Sequence, residues 1–105
     1  MEYPELVPVL EVILKTVPAQ KIILFGIRAR GEAHPESDYD LLIVVPKEVD
    51  KRIAARSLYL SLAKVRKGFP VDLVVAHPED LEKYKDAWMT IYPKALREGK
   101  TLYAA

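Results

Sequence analysis

Three short apolar runs constrain this chain most: KIILF at 21–25, LLIVV at 41–45 and VDLVVA at 71–76. Each is too short for a helix, rich in β-branched side chains and bounded by glycine or proline, so each reads as a largely buried strand. The 25 residues between the second and third runs carry a helical pattern over 47–67, with Ala54, Leu58, Leu62 and Val65 on the inner face. Gly68 and Pro70 end that helix. A helical connection of this length favours a right-handed crossover between parallel neighbours.

The flanking segments fit the same frame. Leu6, Val9, Leu10, Ile13, Leu14 and Val17 form one apolar stripe on a 3.6-residue period, with Pro4 suited to the first turn and Pro18 ending the run. Gly26 to Ser37 reads as a loop with at most one helical turn. His77 is a boundary residue before a helix whose stripe is Leu81, Tyr84, Trp88 and Ile91. Pro93 is expected to interrupt that helix, leaving a short turn to Gly99 and an edge strand over Lys100 to Tyr103. The expectation is one α/β or α+β layered domain spanning residues 1–105.

Composition narrows the function classes. Sixteen Lys plus Arg against fifteen Asp plus Glu give a net charge of +1, which removes the simplest case for a nucleic-acid or membrane-surface binder. There is no cysteine, hence no disulfide framework and no thiolate metal site. The N-terminal residues resemble no signal peptide, so a cytoplasmic location is expected. The absence of Asn, a single Gln (Gln20) and eight prolines match a thermophile pattern.

The chemistry concentrates in three carboxylates and one glycine. Asp38 and Asp40 lie two apart at the start of the second strand, so their side chains share one face. Asp72 lies at the start of the third strand, beside them if the strands are parallel neighbours. Three carboxylates so close resist joint ionisation, and a divalent cation such as Mg²⁺ relieves that conflict. If the first strand runs antiparallel to the second, Gly26 brings a backbone turn suited to an anion to the same edge.

Residues 26–45, GIRARGEAHPESDYDLLIVV, closely resemble the signature of the minimal nucleotidyltransferases of the DNA polymerase β-like superfamily. Ala29, Arg30 and Gly31 match its A-R-G continuation, Ser37 to Leu41 its S-D-x-D-L, and Val71 to Val74 its third-acid strand. Glu98 to Tyr103 resembles the ending of small members. The resemblance implies a nucleotidyltransferase fold with a small mixed sheet. It implies transfer of a nucleoside monophosphate, AMP from ATP, to an acceptor hydroxyl. Asp38, Asp40 and Asp72 would be the catalytic and Mg²⁺-binding residues, with two ions, and Gly26, Ile27, Arg28 and Ser37 would lie at the nucleotide. Ile27 stands where the family has serine, so a hydroxyl contact to the triphosphate is missing.

Small members of this family resemble antitoxins that pair with HEPN-domain toxins and adenylylate them, so a HEPN-domain protein is the implied partner. The shortness of the chain, with no second domain to select an acceptor, points the same way and against a small-molecule acceptor such as an aminoglycoside. The other reading is a binding module that neutralises its partner by occupancy. Lys51, Arg52, Arg56, Lys64, Arg66 and Lys67 form a basic face that reads first as solvated and second as a surface for an acidic partner. Tyr84, Trp88 and Tyr92 read as core or as self-association contacts, which leaves a homo-oligomer open. His34, in the loop, is assigned no role.

Overall fold

The computed structural model describes residues 2–26, 28–31, 38–87 and 92–105. Ile27, His34, Ser37, Trp88 and Ile91, all named above, lie outside them. A 3-10 turn at Pro4–Leu6 leads into α1 (Val7–Thr16), which stops where Val17 turns extended before Pro18. β1 (Lys21–Phe25) and β2 (Tyr39–Val44) pair antiparallel, and β2 pairs parallel with β3 (Val71–Ala76) through α2 (Lys51–Leu62). After α3 (Pro78–Tyr84) and α4 (Tyr92–Glu98), β4 (Lys100–Ala104) returns antiparallel to β1. The sheet order is β3-β2-β1-β4, a mixed sheet.

Both faces of the sheet are covered. On one, Leu6, Val9 and Ile13, with Ala54, Leu58 and Leu62 of α2, bury Ile22, Leu24, Leu41, Ile43 and Leu73. On the other, Ala95 and the partly buried Leu81 and Tyr92 meet Ile23, Phe25, Leu42 and Ala76. Two-sided burial is why the strands read as nearly continuous apolar runs.

Several expectations need correction. β2 spans Tyr39–Val44 rather than 41–45, and α3 ends at Tyr84, short of the stripe expected to run on from Leu81 and Tyr84. The helix expected over 47–67 is confined to Lys51–Leu62. A turn closed by Val49 N–H to Pro46 O precedes it, and Asp50 caps it by accepting from Ile53 N at 3.0 Å. Pro93, expected to end a helix, lies instead in the first turn of α4, where its missing N–H has no intrahelical partner to lose. Gly99 then permits a tight exit, because a Cβ there would collide with the Ala95 carbonyl.

Candidate active site

β2 and β3 start at the same end of the sheet, and the register sets Asp40 directly beside Asp72. Asp38 immediately precedes β2. β1 runs antiparallel to β2, so its last residue, Phe25, pairs with Asp40 and Gly26 follows at that same end. Gly26 has φ +77°, and a Cβ there would strike Asp40 Oδ2. The glycine is required twice, for its left-handed backbone and for the carboxylate lying against it. Ala29 N–H and Arg30 N–H both donate to Gly26 O, at 3.1 and 3.2 Å, closing one turn after it.

The carboxylates act on one another. Burial raises the Asp40 carboxyl above the ordinary carboxylate range, and the charges of Asp72 and Asp38 raise it further. The Asp72 carboxyl is also raised, by burial and then by a hydrogen bond and repulsion from Asp38. As a residue Asp72 is exposed, so its neighbour Asp38 accounts for that rise better than desolvation does.

Three neighbouring carboxylates, two of which, Asp40 and Asp72, hold their protons more tightly than usual, fit a divalent cation in their chemistry. Among the described residues, however, no group of three or more His, Asp or Glu side chains is arranged to hold a metal ion. The structure brings the three candidate ligands together as repelling neighbours, short of a formed cage.

Tyr39, between the two acids, is the site-supporting residue that the sequence reading passed over. Strand alternation turns its ring away from Asp38 and Asp40 into the core, where it is almost fully buried. Its hydroxyl donates to Glu5, the Phe69 ring packs 4.6 Å away, and the Arg28 guanidinium lies 4.2 Å over its face. Burial, followed by the bond and charge of Glu5, pushes the phenol up to about 12. The signal was available, because the middle residue of D-x-D on a half-buried strand must face the opposite side.

Arg28 thus braces the segment after the glycine turn against the strand that carries the acids. Arg30 pairs with Glu98 at 3.5 Å. His77 is a boundary residue as expected: its backbone N–H donates to Asp80 at the start of α3, and its Nε2 lies 2.6 Å from Val49 O. Two concavities, of about 280 and about 560 Å³, are lined by residues such as Pro46, Lys47, Lys51 and His77. They lie at the far ends of β2 and β3, and neither is lined by Asp38, Asp40 or Asp72. The chemistry is the guide to the site, because among the described residues the end that holds Asp38, Asp40 and Asp72 combines like charges with a backbone turn suited to an anion.

The sequence matches the nucleotidyltransferase domain family over residues 8–94. This chain belongs to that family. A Methanocaldococcus jannaschii protein named as a protein adenylyltransferase is 36% identical over 84 residues, which are 80% of this chain and 78% of the relative. A chain of a toxin–antitoxin complex crystallised with AMP-PNP superposes with TM-score 0.58 at 23% identity, covering 92% of this chain and 71% of that one. A chain from the complex of a tri-AMPylated Shewanella oneidensis HEPN toxin with its MNT antitoxin gives TM-score 0.55 at 15% identity, covering 100% of this chain and 74% of that one. At those identities the two structures speak for the shared fold. The mixed sheet of this nucleotidyltransferase is the fold its signature implied.

Proposed function

We propose that this nucleotidyltransferase moves AMP from ATP to a hydroxyl of a partner protein, acting as the antitoxin of a HEPN-domain toxin. The observation that carries this reading is the meeting of Asp38, Asp40, Asp72 and the Gly26 turn at one sheet end. Support for the donor and acceptor comes from the adenylyltransferase name of the relative and from the AMP-PNP and AMPylated-toxin complexes among its structural neighbours.

In this reading the Gly26 turn, with Ile27, Arg28 and Ser37, lies against the triphosphate. Arg28, braced on Tyr39, places a positive charge beside that turn. Asp38, Asp40 and Asp72 would hold Mg²⁺, as two ions, which would supply charge neutralisation at the phosphoryl oxygens. Asp72, on the open edge of the trio, takes the proton of the acceptor hydroxyl. The acceptor oxygen then bonds to the α-phosphorus in line with the breaking bond to pyrophosphate, so the rate depends on positioning and charge neutralisation.

Ile27 favours one other reading, a weakened site in a protein that silences its partner by occupancy. Incubation with α-labelled ATP, Mg²⁺ and a HEPN-domain protein separates the two. Label on the partner, lost in Asp38→Ala, is the expected result. Full inhibition of the partner without ATP and without label would establish occupancy, and label arriving only from γ-labelled ATP would overturn both.

A further inference from the structure

The layer formed by α1 and α2 carries an apolar surface that its own fold leaves uncovered. Of the six exposed large apolar side chains among the described residues, Val7, Leu14, Ile53, Tyr59 and Leu60 lie on these two helices. Ile53 and Leu60 remain 66% and 61% exposed, an unusual cost on a helix whose inner face is already packed by Ala54, Leu58 and Leu62.

The two helices bear matching stripes. On α1, Val7 and Leu14 are seven residues apart with Glu11 exposed between them. On α2, Ile53 and Leu60 are seven residues apart with Arg56 exposed between them. Seven residues is two helical turns, so each stripe is an apolar pair with a charge at its centre. The central charges are opposite. Asymmetry extends beyond the stripes, since Lys51 to Val71 contains no acidic residue at all.

α1 leads into β1 and α2 leaves β2; because those strands are antiparallel, the two helices run in opposite directions side by side. A twofold axis parallel to the helices, over the groove between α1 and α2 on the outer surface of the layer, therefore sets α1 of one copy on α2 of another. The same contact repeats on the other side of the axis. Val7 then meets Leu60, Leu14 meets Ile53, and Glu11 meets Arg56, each pair twice. A foreign acidic surface would satisfy α2 and leave the α1 stripe without a match, whereas a second copy satisfies both.

We propose that this face is a symmetric homodimer interface in which the helix layers of two copies close on each other, with Glu11 paired to Arg56 across the twofold axis. The acid end of the sheet, where the strands start, stays outside the contact.

Sedimentation or light scattering over a concentration series tests this, with circular dichroism and thermal unfolding confirming that each variant is folded. The unmodified protein is expected to move from monomer to dimer with rising concentration, and more weakly at high salt. Leu60→Glu is expected to raise the dissociation constant at least about tenfold, as are Glu11→Arg and Arg56→Glu separately. The double variant Glu11→Arg/Arg56→Glu is expected to recover most of the loss, because the pair is restored in reverse. A protein that stays monomeric throughout, a dimer indifferent to Leu60→Glu, or a double variant no better than its parents would each overturn the proposal.

Discussion

Asp40 shows at the scale of one residue how the site conflicts with stability. It is half-buried, faces Asp72 in register and lies against the bare backbone of Gly26. Its raised proton affinity means the folded chain holds that proton more tightly than the unfolded chain does. The associated stability is present below the ordinary carboxylate range and is lost as pH rises through the raised value. Metal-free Asp40→Asn should therefore melt above the parent at neutral pH, with the advantage gone near about pH 4. AMP transfer by the same variant should fall at least about 100-fold, since the proposed function makes Asp40 a direct metal ligand and loss of one exceeds the penalty typical of a supporting residue. Gly26→Ala should lose about 1–2 kcal/mol from the left-handed backbone alone, measured by denaturant unfolding, and should also displace the Asp40 carboxylate. Ile27→Ser restores the missing hydroxyl and should tighten ATP binding about tenfold or more by titration calorimetry, one hydrogen bond to a charged group being worth about 1.5–3 kcal/mol.

Elements differ in how clearly the sequence announces them. β1 and β3 have the bounds that their apolar runs suggest, because glycine or proline flanks each run and both sheet faces are buried. β2 starts earlier than its LLIVV core, at Tyr39, since pairing with Phe25 and Asp72 draws polar residues into the ladder. The candidate site was legible as a set of acids at strand starts. The brace behind it was not, because Glu5, Arg28 and Phe69 converge on Tyr39 only through tertiary packing. The start of α3 shows a similar convergence, where Asp80 accepts from His77 N–H and from Lys51 Nζ, both at 2.9 Å. Burial pushes the Asp80 carboxyl up, but these two donors outweigh it and hold the group below its ordinary range. Here the sign is opposite to that of Asp40: the stability is present above the ordinary carboxylate range and is lost as pH falls through the lowered value. Asp80→Asn should lower stability at neutral pH by about 0.5–1.5 kcal/mol, a modest figure because Lys51 is partly solvent-screened, and should flatten the acid limb of the melting profile.

Across the whole molecule, the two ends of the sheet respond oppositely to charge. The far end holds a carboxylate matched by a cation in Asp80 and Lys51, whereas at the strand-start end Asp40 and Asp72 are pushed up by the carboxylates beside them. A divalent cation should therefore stabilise the fold through the strand-start end. Unfolding separates the three acids and dissolves the ligand set, so binding to the folded state appears directly as resistance to melting. At a Mg²⁺ concentration ten times its dissociation constant the gain is about 1.4 kcal/mol, which for a domain of this size is roughly 6–11 °C in Tm. The gain should be full at neutral pH and should shrink as acid protonates Asp40 and Asp72, earlier than for ordinary carboxylates because their proton affinities are raised. Asp38→Ala and Asp40→Asn should abolish it, and Asp80→Asn should leave it intact. Scanning calorimetry of the parent and these three variants with and without Mg²⁺ checks the assignment independently of any acceptor. Equal stabilisation of the Asp38→Ala protein would move the cation to another part of the molecule and remove the metal from the proposed transfer reaction.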